Sequence, residues 1–181
     1  MNARTSTMAE DPAEFGQLFI SDTTAAVAEI LNGYARRGFL RRVSVASVQA
    51  NRVTFCVVWH FGRPFLFALD FKAKTVAFLK LLPLASTDPR LQEELNNFLR
   101  PFASDKAPEH RRVDQSKGRL TIRRDAGALT IGIRVQQLDY EYCTRRLVHL
   151  VQEVFVMFLR DGPYYDYMIE NLGLDPESAG G

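Results

Sequence analysis

Val53-Thr54-Phe55-Cys56-Val57-Val58-Trp59, Phe65-Leu66-Phe67-Ala68-Leu69-Asp70-Phe71 and Thr75-Val76-Ala77-Phe78-Leu79-Lys80-Leu81 decide the fold. Each run is rich in β-branched and aromatic residues, and only short turn-forming stretches separate them. That pattern predicts neighbouring antiparallel strands in a meander. Just upstream, Val43, Val45 and Val48 alternate with polar residues, and Ala50-Asn51-Arg52 supplies a turn, which adds an earlier strand. The middle strands are apolar at successive positions, so both of their faces are expected to be covered, with helices over at least part of each.

Outward from the meander the period changes from two residues to 3.6. Val27, Ile30, Leu31 and Tyr34 share one helical face, after a start signal at Ser21-Asp22-Thr23 and before an end signal at Arg36-Arg37-Gly38. On the other side, Asp88 is a predicted N-cap, Pro89 opens a helix with the stripe Leu91, Leu95, Phe98 and Leu99, and Pro101 ends it. His110-Arg111-Arg112-Val113 reads as one short strand. Arg119–Arg123 and Leu129–Val135 form a predicted hairpin around Asp125-Ala126-Gly127. Its alternation turns Leu120, Ile122, Leu129, Ile131, Ile133 and Val135 inward, and Arg119, Thr121, Arg123, Thr130 and Arg134 outward. A long helix is expected from about Asp139 to Arg160, broken by Asp161-Gly162-Pro163 and followed by a short one.

The expected architecture is α+β, a mostly antiparallel sheet in the order α-β-β-β-β-α-β-β(-β)-α plus a short C-terminal helix. Residues 1–18 read as a flexible leader, 19–160 as a single domain, and 161–181 as a C-terminal helical segment and tail. The chain has 181 residues, 46% of them hydrophobic, which is enough for a substantial core. Its 23 basic residues nearly balance 21 acidic ones, so any attraction to nucleic acid or an anionic membrane has to be local. No long apolar run or apolar leader is present, which points to a cytoplasmic protein with no membrane partner.

Few residues announce chemistry. Glycine-rich phosphate loops, G-x-S-x-G, H-E-x-x-H and C-x-x-C are all absent from the sequence. Cys56 and Cys143 stand in apolar stretches and read as core thiols. His60, His110 and His149 are scattered, so no metal site and no cofactor are expected. Trp59 and His60, near Arg63, mark the one place where a ligand or substrate pocket under the meander is conceivable, above all if Asp70 lies beside His60. Basic residues group twice: Arg36, Arg37, Arg41 and Arg42 at the first helix–strand junction, and Arg111, Arg112, Lys117, Arg119, Arg123, Arg124 and Arg134 around the later hairpin. If the alternation holds, Arg119, Arg123 and Arg134 share one face, either a solvated surface with scattered ion pairs or an electrostatic patch for an acidic partner. No aromatic residues interleave with them, so nucleic acid is the weaker reading.

Phe155-Val156-Met157-Phe158-Leu159 is apolar all round a helix, and Tyr164-Tyr165-Asp166-Tyr167-Met168 follows directly. Such a helix must be covered on every side. The C-terminal helix folds back over it, or Phe155, Met157, Tyr164, Tyr165, Tyr167 and Met168 form the contact surface of a protein partner or a homodimer, and the two are compatible.

Leu91-Gln92-Glu93-Glu94-Leu95-Asn96-Asn97-Phe98-Leu99, then Gly118-Arg119-Leu120-Thr121-Ile122-Arg123-Arg124-Asp125, then the helix at Cys143–Phe158 resemble the type III secretion chaperone-like superfamily, including the YbjN-like proteins. Leu95-Asn96-Asn97-Phe98-Leu99 matches the family's Leu-Asn-x-x-Leu-like stretch, and the similarity spans about residues 20–160. The resemblance implies a small, often dimeric α+β binding protein without enzymatic activity. Its secretion chaperones hold an extended client segment against apolar patches and strand edges. The chain departs from the typically acidic chaperones in its pI of about 8.6 and in the segment after Asp161. The expected function is thus a non-enzymatic protein-binding module, chaperone-like or regulatory, which recognises its partner through an apolar helix surface and a sheet edge.

Overall fold

The computed structural model describes residues 12–83, 89–125 and 127–173. Helix α1 (Pro12–Arg36) leads into four strands, β1 (Arg42–Gln49), β2 (Arg52–Trp59), β3 (Arg63–Asp70) and β4 (Thr75–Pro83). Helix α2 (Pro89–Leu99) follows, then β5 (Gly118–Asp125), β6 (Ala128–Val135), α3 (Tyr140–Glu153) and α4 (Tyr165–Leu172). All six strands form one antiparallel sheet in the order β1-β2-β3-β4-β6-β5. The meander is therefore present, and the later hairpin adds to its β4 side. β1 and β5 are the two edges.

Register explains the core. Phe55 lies opposite Phe67, Phe67 opposite Phe78, Phe78 opposite Ile131 and Ile131 opposite Ile122. The Phe67 and Phe78 rings meet edge to face at 5.2 Å. With Val57, Trp59, Phe65, Leu69, Val76 and Ile133, this side of the sheet joins the buried faces of α1, α2, α3 and α4 in a single hydrophobic cluster. All the helices thus pack on one face.

Several expectations are corrected. Helix α1 begins at Pro12 rather than near Ser21, so residues 12–18, expected in the leader, are its first turns. Proline suits that position because its missing N–H has no intrahelical partner there in any case. Asp88, the predicted N-cap of α2, lies outside the described residues, as do 1–11 and 174–181. His110–Val113 is a turn and not a strand, because the Pro108 carbonyl captures the N–H groups of both Arg111 (2.8 Å) and Arg112 (3.0 Å). Helices were expected on both sheet faces, yet the face opposite the core carries none among the described residues. Thr54, Ala68, Ala77 and Gly132 stand side by side across it, small enough for their larger neighbours to shield them. Thr130, expected to face outward into solvent, is buried, and its hydroxyl oxygen accepts from the Lys80 N–H at 3.0 Å.

The long final helix also divides. Asp139 caps α3, its carboxylate accepting from the Tyr142 N–H at 3.1 Å. After Glu153 the chain widens into a π-helical stretch over Val154–Arg160, closed by a bond from the Asp161 N–H back to the Val156 carbonyl at 2.9 Å. The wider turns bury Val154, Phe155, Phe158 and Leu159 together.

Candidate functional site

The apolar surplus in the last third of the chain is absorbed by the fold. Phe155 is buried, stacked on His60 at 4.1 Å and edge-on to Phe65 at 5.5 Å. Tyr164 stacks on Phe158 at 4.8 Å and donates its hydroxyl to the Glu94 carboxylate at 2.8 Å. Tyr167 donates to the Pro83 carbonyl, and the Arg63 guanidinium donates to the Leu172 carbonyl. Met168 is only 2% exposed. Four side chains thus fasten α4 and its approach to the body of the protein. Of the six residues expected to meet a partner, Phe155, Tyr164 and Met168 are core, and Tyr165 and Tyr167 are half-buried. Met157 alone stands out, 51% exposed. At Phe155, Tyr164 and Met168 that expectation is corrected: an all-apolar helix needs cover, and α4 supplies part of it.

The region around Trp59 and His60 is filled as well. His60 is held between the Trp59 ring at 4.4 Å and the Phe155 ring. Burial, reinforced by the Arg160 charge, pushes its pKa down to about 4. Its Nε2 has no hydrogen-bond partner among the described residues. Asp70 is at the far end of β3 from Arg63 and receives two bonds from the Arg52 guanidinium, at 2.6 and 3.1 Å. Among the described residues no carboxylate contributes to the shift of His60, so the acid–base pair that would mark a reaction centre is not assembled from them. The thiol of Cys143 is buried and pushed up to about 12, outside the range of a reactive nucleophile, while Cys56 is half-buried. Among the described residues, no group of three or more His, Cys, Asp or Glu is placed to hold a metal ion, and no helix is long and apolar enough to cross a membrane.

The basic residues separate into two groups. Arg36 pairs with Glu29, Arg111 with Glu153, Arg112 with Asp105 and Lys117 with Asp139. These charges are accounted for within the fold. Arg119, Arg123 and Arg134 are different: all three are exposed, on the sheet face that no helix covers, and none makes an ion pair or side-chain hydrogen bond among the described residues. Arg119 lies directly opposite Arg134, and Arg123 opposite Thr130, so the alternation expected of the hairpin does bring the three arginines to one face.

Two clefts open beside them. One, of about 390 Å³, lies between Arg52, Lys80, Arg123 and Arg124. The other, of about 430 Å³, is bounded by Lys74, Arg119, Arg134 and the Gln136–Leu138 loop. On the helix side of the same edge strand, Leu120 and Ile122 are half-buried and floor a shallow depression of about 310 Å³ with Leu99 and Ala103. β5 therefore presents cations on one face, apolar side chains on the other, and an edge of backbone groups that no strand pairs among the described residues.

Lys74, Lys80, Arg52 and the Gln136–Leu138 loop enter this surface without having been legible in the sequence. Their contribution depends on which strands neighbour β6 and on backbone turns that periodicity does not report. A larger cleft of about 540 Å³ lies near Asp114 and Tyr142. Its cations have partners: Arg146 donates to the His110 carbonyl, Arg112 pairs with Asp105, and Lys117 pairs with Asp139 and lies 4.9 Å from the centre of the Tyr142 ring. The Asp114 carboxyl is held below its usual range by bonds from Ser116.

The fold is α+β, an antiparallel six-stranded sheet with one helix-covered face. No protein-family model, curated protein or solved structure matches the chain.

Proposed function

We propose that this protein is a non-enzymatic binding module that captures an extended, acidic segment of a partner protein along β5. The carrying observation is the two-sided chemistry of that edge strand, with Arg119 and Arg123 on one face and Leu120 and Ile122 on the other. An incoming strand hydrogen-bonds to the free edge and alternates its own side chains. Acidic residues at every second position then meet the arginines, and the intervening apolar ones settle over Leu120, Ile122 and the depression beside Leu99. The resemblance to the secretion chaperone-like superfamily supports the same mode. The absence of any aromatic side chain between these arginines favours a peptide over single-stranded nucleic acid.

The test is fluorescence anisotropy of the full-length protein with a labelled peptide of alternating leucine and glutamate. The same composition in scrambled order is the control. Saturable binding of the alternating peptide is expected, weakened about ten-fold by Arg123→Glu and by 0.5 M salt, since exposed charges are screened. Equal binding of the scrambled peptide, or full binding by the Arg123→Glu and Ile122→Glu variants, would remove β5 as the capture edge.

A further inference from the structure

The cleft of about 430 Å³ at the β4–β6–β5 end of the sheet has features that strand capture does not use. Lys74, Arg119 and Arg134 bound it from three separate segments, and among the described residues no carboxylate lines it. The nearby acids have partners already: Asp70 is held by Arg52 and by the Ala73 N–H at 2.7 Å, and Asp139 by Lys117 at 3.2 Å. Arg119 and Arg134 are direct cross-strand neighbours, a placement in which like charges repel and cost stability. Nothing within the described residues relieves that repulsion.

The backbone at the cleft is unusual too. Lys74, Gln137 and Leu138 all have left-handed φ angles, 52°, 49° and 58°, although none is glycine. Such conformations are costly for side-chain-bearing residues and collect at binding sites. The loop is held in place by three bonds: Val135 N–H to the Lys74 carbonyl and Gln136 N–H to the Lys117 carbonyl, both 2.7 Å, and Asp139 N–H to the Gln136 carbonyl at 3.1 Å. The N–H groups of Gln137 and Leu138, in contrast, donate to no group among the described residues.

We propose that this cleft is a binding site for a phosphoryl group. A phosphate monoester carries close to two negative charges and three terminal acceptor oxygens. Three cations and two uncommitted amides match that demand, whereas a single carboxylate would leave at least one of the opposed arginines without a counter-charge. Bound phosphate also removes the Arg119–Arg134 repulsion, so the ligand stabilises the hairpin that holds it. The cleft shares Arg119 with strand capture, but Lys74 and Arg134 stand away from the β5 edge, so their variants test this site separately. The phosphoryl group comes either from a small phosphate compound or from a phosphorylated residue of a partner chain.

Isothermal titration calorimetry on the full-length protein tests the site, with inorganic phosphate, pyrophosphate and a phosphoserine peptide as probes and ionic strength held constant with chloride. One saturable site is expected for at least one probe. Lys74→Gln and Arg134→Gln should each weaken it about ten-fold, and Arg36→Gln, at a pair far from the cleft, should not. Tighter binding of the peptide assigns the group to a partner chain, and tighter binding of the free phosphates assigns it to a small molecule. Thermal melting guards against misfolding: without ligand, Arg134→Gln should melt no lower than the native chain, and the probe that binds should raise the melting temperature of the native chain more than that of the variant at the same concentration. Lack of binding by all three probes overturns the site. So does native-like affinity in both cleft variants, or an unliganded Arg134→Gln protein that melts well below the native one.

Discussion

Phe55, Phe67, Phe78 and Ile131 lie in line across the helix-covered face of the sheet, while Thr54, Ala68, Ala77 and Gly132, one position away on β2, β3, β4 and β6, line the other. The first row is large because α3 and its neighbours rest on it and the space must be filled to native density. The second row is small because nothing is docked over it among the described residues, and long basic side chains flank it instead. The same backbone thus carries a packed core on one side and, on the other, a shallow cationic floor whose charges at Arg119, Arg123 and Arg134 have no partner among the described residues. Stability belongs to the first face, and the proposed recognition to the second.

The largest test of that contrast is Phe67→Ala against Leu66→Ala. Phe67 is fully buried, and its truncation should cost about 3–5 kcal/mol in urea unfolding. Leu66, on the opposite face, is 43% exposed and should cost under about 1 kcal/mol. Comparable losses would show that the second face is covered after all.

Acid should weaken the covered face selectively. His60 has a pKa of about 4 in the folded chain, below the ordinary 6.5, because burial disfavours its charged form. Between these values the unfolded chain takes up a proton that the folded chain does not. Stability is therefore complete above pH 6.5 and falls as the pH drops toward 4, by on the order of 3 kcal/mol. His60→Phe, which keeps an aromatic ring between Trp59 and Phe155, should flatten the unfolding free energy across that window. An unchanged slope would place the acid sensitivity elsewhere.

Gly132→Ala gives a smaller effect on the second face. An added Cβ would meet the Val76 carbonyl oxygen at 2.7 Å and the Ala77 Cβ at 2.9 Å, so the strands must part slightly, at about 1–3 kcal/mol. A neutral result in thermal melting would mean that β4 and β6 pack less closely than their register implies.

The meander was legible because Val53–Trp59, Phe65–Phe71 and Thr75–Leu81 are β-rich in themselves and their turns are short. The hairpin was legible for a related reason: alternation alone places Arg119, Arg123 and Arg134 on one face, and the structure agrees. The partner surface was misread at Phe155, Tyr164 and Met168 because an apolar stretch shows only that cover is needed. Whether cover comes from the same chain or another depends on the path after Gly162. Likewise, His110–Val113 has strand-like residues, but a single carbonyl at Pro108 captures two of its N–H groups and turns it away from the sheet.

Local periodicity, capping and turn residues determined the element order and the α+β class, because those signals act within a few residues along the chain. Tertiary structure decided which side of the sheet the helices occupy, how α4 is fastened by Tyr164, Tyr167 and Arg63, and which basic residues remain unpaired. Each of these depends on contacts between residues far apart in sequence. The Lys74–Arg119–Arg134 cleft shows this most clearly, since its three cations come together only when β6 pairs between β4 and β5.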